Sequence, residues 1–418
     1  MKNTFIILPT QLFHHTKSFW NKYDEIVLVK DQYYINDFIH TIKLNMHLDS
    51  CSNYFNNIDH PNKYIVKEVK RNDNFKYYMY HPTDKQMINK YNYSEFLETP
   101  AFILEISEFE DFYTNTQLDF YKKMTKKLNI LMNNNKPIGN RWSYDDENRY
   151  KYPQNFKEDK YIINNTIKPP TTRKIALKNL INFTKYKLSF FRTYKDAIDN
   201  ETLIGFHSYL SVPLNIGLLT PLDIIKEVMK YDISLNSLEG FIRQLIGWRE
   251  YIRMHYIING DVDEWNYLKD MNKKIDATWY NGNTDIEILN WSIKRVIDNA
   301  YVPHIERLIL LNNFAILLRL KYSDVKKWFI NMFVDGYDWT MLNVSMNVNY
   351  LSQDRNKKFM TRVYLTNGSY LKKIGLKINR IDEDKIKKLY TKFIIDNKEV
   401  LKTDYRVASY IKRLSYSD

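Results

Sequence analysis

The stretch "LEGFIRQLIGWREYIRMHY" (238–256) decides how the second half of this chain is read. Placed on a regular helix, Phe241, Leu245, Trp248 and Ile252 recur at i, i+4, i+7 and i+11 and make a core stripe. Gly240 and Gly247, seven residues apart, share another face, with Arg243 beside them. Arg249 and Arg253 form an i,i+4 pair on the opposite side. Each interior glycine costs a helix roughly 1 kcal/mol. Two on one side therefore imply that something bulky approaches the backbone closely. Two readings are open. The face presents small and cationic groups to a planar, phosphate-bearing ligand, or the glycines pack against another helix while the arginines are exposed.

Outward from this stretch the pattern stays helical. "KIALKNLINFTKYKLSFF", "PLDIIKEVMKYD", "IEILNWSIKRVIDNAY", "IERLILLNNFAILLRL" and "SDVKKWFINMF" all have helical periodicity. Thr220-Pro221 and Ser323-Asp324 read as helix starts. The segment 305–320 is apolar nearly all round after Arg307, which predicts a central, buried helix.

The first third is different. "FIILP" (5–9), "EIVLV" (25–29), "YIVKEV" (64–69) and "AFILEI" (101–106) read as strands. A helix is expected between the second and third, with Asn36 or Asp37 as its N-cap. Such alternation predicts a parallel sheet covered by helices. No G-x-G-x-x-G follows any of these strands, so a dinucleotide site of that type has no support. Between the halves, Asn, Asp and Pro concentrate from about Asn133 to Thr172 and read as a long connection. The expected division is therefore 1–130 α/β, 131–173 connection and 174–418 helical.

With 44% apolar and 27% charged residues among 418, the chain is globular rather than disordered. Lone Cys51 rules out an intramolecular disulfide and a cysteine-based metal site. No run is long and apolar enough for a membrane span, and the N-terminal apolar stretch is too short for a signal peptide, so a soluble, cytoplasmic or nucleoid-associated protein is expected. The net charge is +13, and residues 350–418 hold 17 Lys and Arg against 8 Asp and Glu. A basic surface so localised suits a phosphate backbone; the alternative is a solvated lysine-rich face.

Seven segments in order resemble the prokaryotic (6-4) photolyases and related cryptochromes. They are "PTQLF" with "FIHTIKLNMHL", "KPIGNRWSYDDENRYKYP" (136–153), "FHSYLSVPLNIGLLTP" (206–221), "EGFIRQLIGWREYIR", "YVPHIERLILLNNFAILL" (301–318), "VKKWFINMFVDGYDWTMLNVSM" (325–346) and "FMTRVYLTNGSYLKKIG" (359–375). The resemblance implies a Rossmann-like antenna domain followed by an all-α domain that binds FAD. It implies that light-excited reduced flavin gives an electron to a pyrimidine photoproduct flipped out of UV-damaged DNA. Ser208, Leu210, Ser211, Asn215, Glu239, Arg243, Gly247, Tyr251, Arg307, Asn313 and Met341 would hold the cofactor, with Trp248 lining the pocket. His304 would be the proton donor; the second histidine that often precedes it is replaced by Pro303. Trp328, with Trp279 or Tyr280 further out, would carry electrons to the flavin.

Arg355, Lys357, Lys358, Arg362, Lys372 and Lys373, with Lys377 and Arg380, would form the phosphate track. The family's four cluster cysteines are missing; one maps to Ile288, and the C-terminal pair gives way to "LKINR". No iron–sulfur centre is therefore expected, its place being taken by apolar or hydrogen-bonded packing. A lumazine-type antenna chromophore is compatible with the resemblance, and a monomer is expected. Two other functions stay open. One is a cryptochrome-type photoreceptor without repair activity; the other is a cyclobutane-dimer photolyase, which Pro303 keeps in play.

Overall fold

The computed structural model describes residues 1–144, 150–152, 162–163, 166–260, 268–341, 365–402 and 404–414. The N-terminal part is a five-stranded parallel sheet: β1 (Lys2–Ile7), β2 (Glu25–Val29), β3 (Lys63–Val66), β4 (Phe75–Tyr80) and β5 (Glu95–Leu97), in the order β3-β2-β1-β4-β5. The predicted strands at 5–9, 25–29 and 64–69 correspond to β1, β2 and β3. Helix α1 (Thr41–Asn56) covers the sheet, capped by His40, whose Nδ1 accepts from Ile42 N–H, rather than by Asn36 or Asp37. Asn36 is engaged elsewhere, accepting from Phe38 N–H.

The predicted strand at 101–106 is not one, and its backbone shows why. Ile103 and Leu104 N–H donate to Glu250 Oε1 and Oε2 at 3.0 and 3.2 Å, and Arg253 Nη1 donates to Leu104 O at 2.7 Å. Two side chains of the 238–256 stretch satisfy backbone groups that a neighbouring strand would otherwise take.

The helices that shape the site are α2 (Gln117–Leu128), α3 (Arg173–Tyr186), α4 (Leu188–Tyr194), α5 (235–259), α6 (Glu287–Asn299), α7 (304–317), α8 (Tyr322–Met332) and α9 (Arg380–Asp396). A further helix, Pro221–Val228, starts as expected: Thr220 and Asp223 make a capping box and Pro221 occupies the first turn. The start of α8 falls one residue before Ser323, at Tyr322.

Two helices contain π-helical segments, Arg243–Arg249 in α5 and Arg307–Asn312 in α7. A wider turn of this kind shifts the angular register of everything after it. That is how Glu250 and Arg253, on the outer face of a regular helix, come to be buried at 1% exposure each.

One apolar core runs from the sheet (Phe5, Ile26, Met79) through α2 and α3 into α5, and ends on Val334, Tyr337 and Trp339. A second is centred on α6, α7 and α8 and includes Ile293, Leu310, Phe314, Trp328 and Phe333, so the 305–320 helix is central as predicted. Ile288 and Leu376 lie in this second core. Beside them Asp382 accepts from Glu287 and Ile288 N–H at 3.0 and 2.8 Å. The packing at these positions is apolar and hydrogen-bonded.

Candidate functional site

The site is built round Asp335, in the turn after α8. Gly336 makes that turn close. A side chain there has no room, because its Cβ would lie 2.5 Å from Phe329 O. The Gly336 carbonyl accepts from Lys43 Nζ of α1, which also donates to Ile330 O at 2.7 Å. The sheet domain thereby holds the turn from behind. Asp335 accepts from Arg307 Nη1 and Nη2 at 2.9 and 3.2 Å and from Ser211 Oγ at 2.6 Å, while its carbonyl accepts from Asn215 Nδ2 at 3.0 Å. Arg249 Nη1 donates to Asn215 Oδ1 at 2.5 Å, and its guanidinium lies over Phe102 and Trp339 at 4.6 and 4.8 Å. The network thus joins the 208–215 loop and helix, α5, α7 and the turn after α8.

Its charge balance is informative. Arg307 pairs with Asp335, whose charge also reaches Lys43, while Arg249 feels Glu250 and Arg253 with opposite signs. Burial is the main reason the Arg249 pKa falls to about 10, with Arg253 pushing the same way. Arg249 Nε and Tyr209 Oη are buried and have no hydrogen-bond partner among the described residues. Buried donors of this kind are costly unless a ligand completes them. A cationic, hydrogen-bonding recess between apolar walls fits an anionic, aromatic cofactor such as FAD.

His304 opens α7 and is exposed by surface area, yet protein surrounds it closely enough to lower its pKa to about 4. Burial is the largest cause, then the charges of Arg307 and Lys195. Arg307, one helical turn later, donates Nε–H to Val302 O at 2.7 Å and lies over Tyr301 and Phe333 at 4.7 and 4.3 Å. Phe333 in turn packs on Trp328 at 5.8 Å. Trp328 is fully buried and meets Trp279 edge-on at 5.3 Å; Trp279 is 2% exposed, and its neighbour Tyr280 is 50% exposed.

The predicted cofactor residues divide into groups. Ser211, Asn215 and Arg307 meet at Asp335; Ser208, which accepts from Leu210 N–H at 3.3 Å, and buried Leu210 lie in the same loop. Met341 packs in the second core with Trp328. Asn313 has both ends of its amide bound to the Thr366 backbone, at 3.1 Å each, so it ties α7 to the C-terminal segment instead of presenting a free amide.

Glu239, Arg243, Gly247 and Tyr251 lie on the face of α5 that is turned to α2. Glu239 pairs with Arg243 at 2.9 Å and bonds Tyr121 of α2. A Cβ on Gly247 would lie 2.4 Å from Gln117 Nε2 and 3.3 Å from Tyr121, and Tyr251 packs edge-on against Phe120 at 5.5 Å. Gly240 is closed by Arg192, 3.1 Å from its would-be Cβ. The glycine face serves helix packing, and the arginine side, read as exposed, supplies Arg249. Of the expected phosphate track, Arg355, Lys357, Lys358 and Arg362 lie outside the described residues. Lys372 pairs with Glu383, and Lys373 and Arg380 are exposed. Lys377 pairs with Glu201 at 3.4 Å.

The reading from sequence missed Asp335, Arg249 and Tyr209. Asp335 had a visible signal, a carboxylate directly before glycine in "FVDGYDW". Arg249 had none, because a π-helical turn leaves no mark in a periodicity.

Comparison with known proteins agrees with this architecture. A family model described as deoxyribodipyrimidine photo-lyase-related protein matches residues 67–179. A protein of Agrobacterium fabrum named (6-4) photolyase is 32% identical over 286 residues; the match takes in 61% of this chain and 55% of that relative, so the alignment spans about half the relative's length. An uncharacterised protein of Acanthamoeba polyphaga mimivirus is 44% identical over 106 residues, 24% of this chain and 80% of that one.

Among solved structures, a cryptochrome of Synechocystis sp. PCC6803 superimposes with a TM-score of 0.60 at 14% identity, over 96% of this chain and 88% of that one. A bacterial class III photolyase from Agrobacterium tumefaciens gives 0.58 at 13% identity, over 94% and 97%. An archaeal photolyase from Sulfolobus tokodaii, described with two FAD molecules, gives 0.54 at 16% identity, over 94% and 100%. Among the described residues no helix is long and apolar enough to cross a membrane. The sheet-plus-helical fold is that of the photolyases and cryptochromes, and over residues 67–179 the chain is similar to the photolyase-related proteins.

Proposed function

We propose that this protein is a light-driven DNA repair flavoprotein acting on (6-4) photoproducts. The observation that carries the reading is the position of His304. It is open to solvent at the first position of α7, on the helix whose Arg307 anchors the buried Asp335 network. The likeness to the Agrobacterium fabrum relative supports the same choice. Arg307, Arg249, Ser211, Asn215 and Tyr209 would hold FAD, which when bound supplies light absorption and the transferred electron. Trp328, Trp279 and Tyr280 form a row of oxidisable rings from the core to the surface, a route along which reducing electrons reach the site. His304, charged once an anionic substrate offsets Arg307 and Lys195, donates a proton to the substrate and recovers it at the end of the cycle. Lys372, Lys373 and the basic residues before them would contact the phosphate backbone. With one cysteine in the chain, buried Cys51 in α1, no iron–sulfur centre enters the proposal, nor does an antenna chromophore.

The test is a repair assay. Protein with reducing agent and a (6-4)-lesion oligonucleotide is lit with blue light, beside dark and cyclobutane-dimer controls, and the products are separated chromatographically. Light-dependent loss of the (6-4) lesion, abolished by His304→Ala, is the expected result. Repair of the cyclobutane dimer alone would reassign the substrate. Bound, photoreducible flavin with no repair of either lesion would point to a cryptochrome-type photoreceptor.

A further inference from the structure

The loop that carries Ser208, Tyr209 and Ser211 is held at its far end by Asp335, through the bond from Ser211. Its near end has an anchor of its own. Arg295 of α6 donates from Nη2 to Thr202 O at 2.9 Å and to Leu203 O at 3.3 Å. Asp199 takes the other side of this turn, its Oδ1 accepting from Glu201 and Thr202 N–H at 2.9 and 2.6 Å. The N–H groups of the turn thus go to Asp199 and its carbonyls to Arg295. Two residues of positive φ, Gly205 (59°) and Tyr209 (56°), then bend the chain round to Ser211.

Arg295 is itself held by a buried carboxylate. Glu306 of α7 is fully buried; its Oε2 lies 3.1 Å from Arg295 Nη2, and its Oε1 accepts from Ser292 Oγ at 2.8 Å. Ser292 and Arg295 stand three apart on α6, so one side of that helix presents both groups to Glu306. The Arg295 guanidinium also lies over the Trp291 ring at 4.5 Å. Burial pushes the Glu306 carboxyl up, while the Arg295 charge and the Ser292 hydrogen bond act against it. Apolar side chains of similar volume often replace a buried ion pair with no loss of stability. Packing alone therefore does not account for this one, whereas the loop that it holds does.

Glu306 and Arg307 are consecutive on α7. One takes the start of the loop through Arg295, and the other takes its end through Asp335. We propose that Glu306 and Arg295 are positioning residues for this loop: their ion pair fixes the 202–203 turn to α6 and α7 and so sets where Ser208 and Tyr209, residues of the candidate cofactor site, stand. This rests on the flavin part of the reading above. The pair acts through the loop rather than on the cofactor. With the pair broken, the loop stays fastened at Ser211 but its first half is free to shift, and fewer groups hold the cofactor at once.

The experiment uses the full chain and compares wild type with Glu306→Gln, Arg295→Lys and the double variant Arg295→Met with Glu306→Met. Three quantities are read. They are the rate of FAD release, followed by the fluorescence of free flavin, the rate of amide exchange over 203–210 in the flavin-free chain, and the melting temperature. Glu306→Gln should release FAD at least tenfold faster and speed exchange in 203–210 while leaving α8 unchanged. Arg295→Lys keeps the charge but cannot span two carbonyls and a carboxylate, so it should fall between Glu306→Gln and wild type. The double variant removes both charges together. It should regain the wild-type melting temperature and still show fast FAD release and fast loop exchange. Recovery of FAD retention together with the melting temperature would overturn the proposal, because the pair would then serve packing alone. So would single variants whose FAD release and loop exchange stay within twofold of wild type. A wild type that binds no FAD would bring down the flavin reading instead, and the exchange rates, read without flavin, would still decide whether the pair holds the loop.

Discussion

Trp328 donates its indole N–H to the carbonyl of Trp279 at 3.0 Å, and the two rings cross at 88° with centroids 5.3 Å apart. One hydrogen bond thus fixes the spacing and angle of two oxidisable rings. The inner one touches Phe333 beneath Arg307, and the outer one adjoins exposed Tyr280. If this row carries electrons, Trp328→Phe should slow light-dependent flavin reduction at least tenfold, and Trp279→Phe should do the same. Tyr280→Phe should have a smaller effect, because Tyr280 is half open to solvent. Transient absorption of the flavin band checks this. Normal photoreduction in Trp328→Phe would send the electron by another route.

Asp335 gathers three side-chain hydrogen bonds from Ser211 and Arg307. Asp335→Asn keeps the shape and removes the charge that balances Arg307. Removing one partner of a largely buried ion pair costs about 3 kcal/mol or more. The variant should purify with at least tenfold less flavin and a lower melting temperature. Flavin absorbance per protein is the measurement, and wild-type flavin content would refute the placement of the cofactor at this network.

How much of this was legible beforehand differs from element to element. β1, β2 and β3 could be read because each holds a run of Ile with Val, Leu or an aromatic residue. β4, "FKYYMY", could not, since lysine and tyrosine give no clear alternation, and "AFILEI" misled because its backbone is bonded by Glu250 and Arg253 rather than by a strand. The same regular-helix assumption buried the right stripe of α5, Phe241, Leu245 and Ile252, but left its arginine side in solvent. On a uniform helix Arg249 points away from the glycines and into solvent; the π-helical turn at 243–249 turns it onto Asn215. His304 and Arg307 stand in a motif, but Asp335, which Arg307 bonds, lies 28 residues further along the chain, where no local pattern reaches.

Glu250 shows what that turn is worth to the fold. Both its oxygens accept backbone N–H groups of 103–104, and the charges of Arg253 and Arg249 favour its ionised form. Glu250→Ala strips two buried donors of their acceptor and leaves Glu98 to balance Arg253, which should cost about 3 kcal/mol. Glu250→Gln, which keeps an acceptor, should cost less. Denaturant unfolding of the two variants checks the order; equal stabilities would show that water replaces the carboxylate.

His255 sets an expected response to acid. The ring is 1% exposed, Nε2 bonds Thr114 O at 3.1 Å, and Nδ1 accepts from Asn259 Nδ2 at 2.9 Å. Both nitrogens are thus used in the neutral tautomer, and protonating Nδ1 would set its new hydrogen against the Asn259 amide. Burial lowers the pKa from 6.5 to about 4, partly offset by the Thr114 bond. The unfolded chain then binds the proton first, so stability is intact above pH 6.5 and is lost as the pH falls toward 4. A shift of this size is worth about 3 kcal/mol at pH 4. His255→Gln, neutral throughout, should therefore lose less stability than wild type between pH 7 and 4, the gap widening toward that figure. Asp84, pushed up to about 7 chiefly by burial, has the opposite slope in this range but is common to both proteins. Parallel stability curves for the two would mean that His255 is charged in the folded protein.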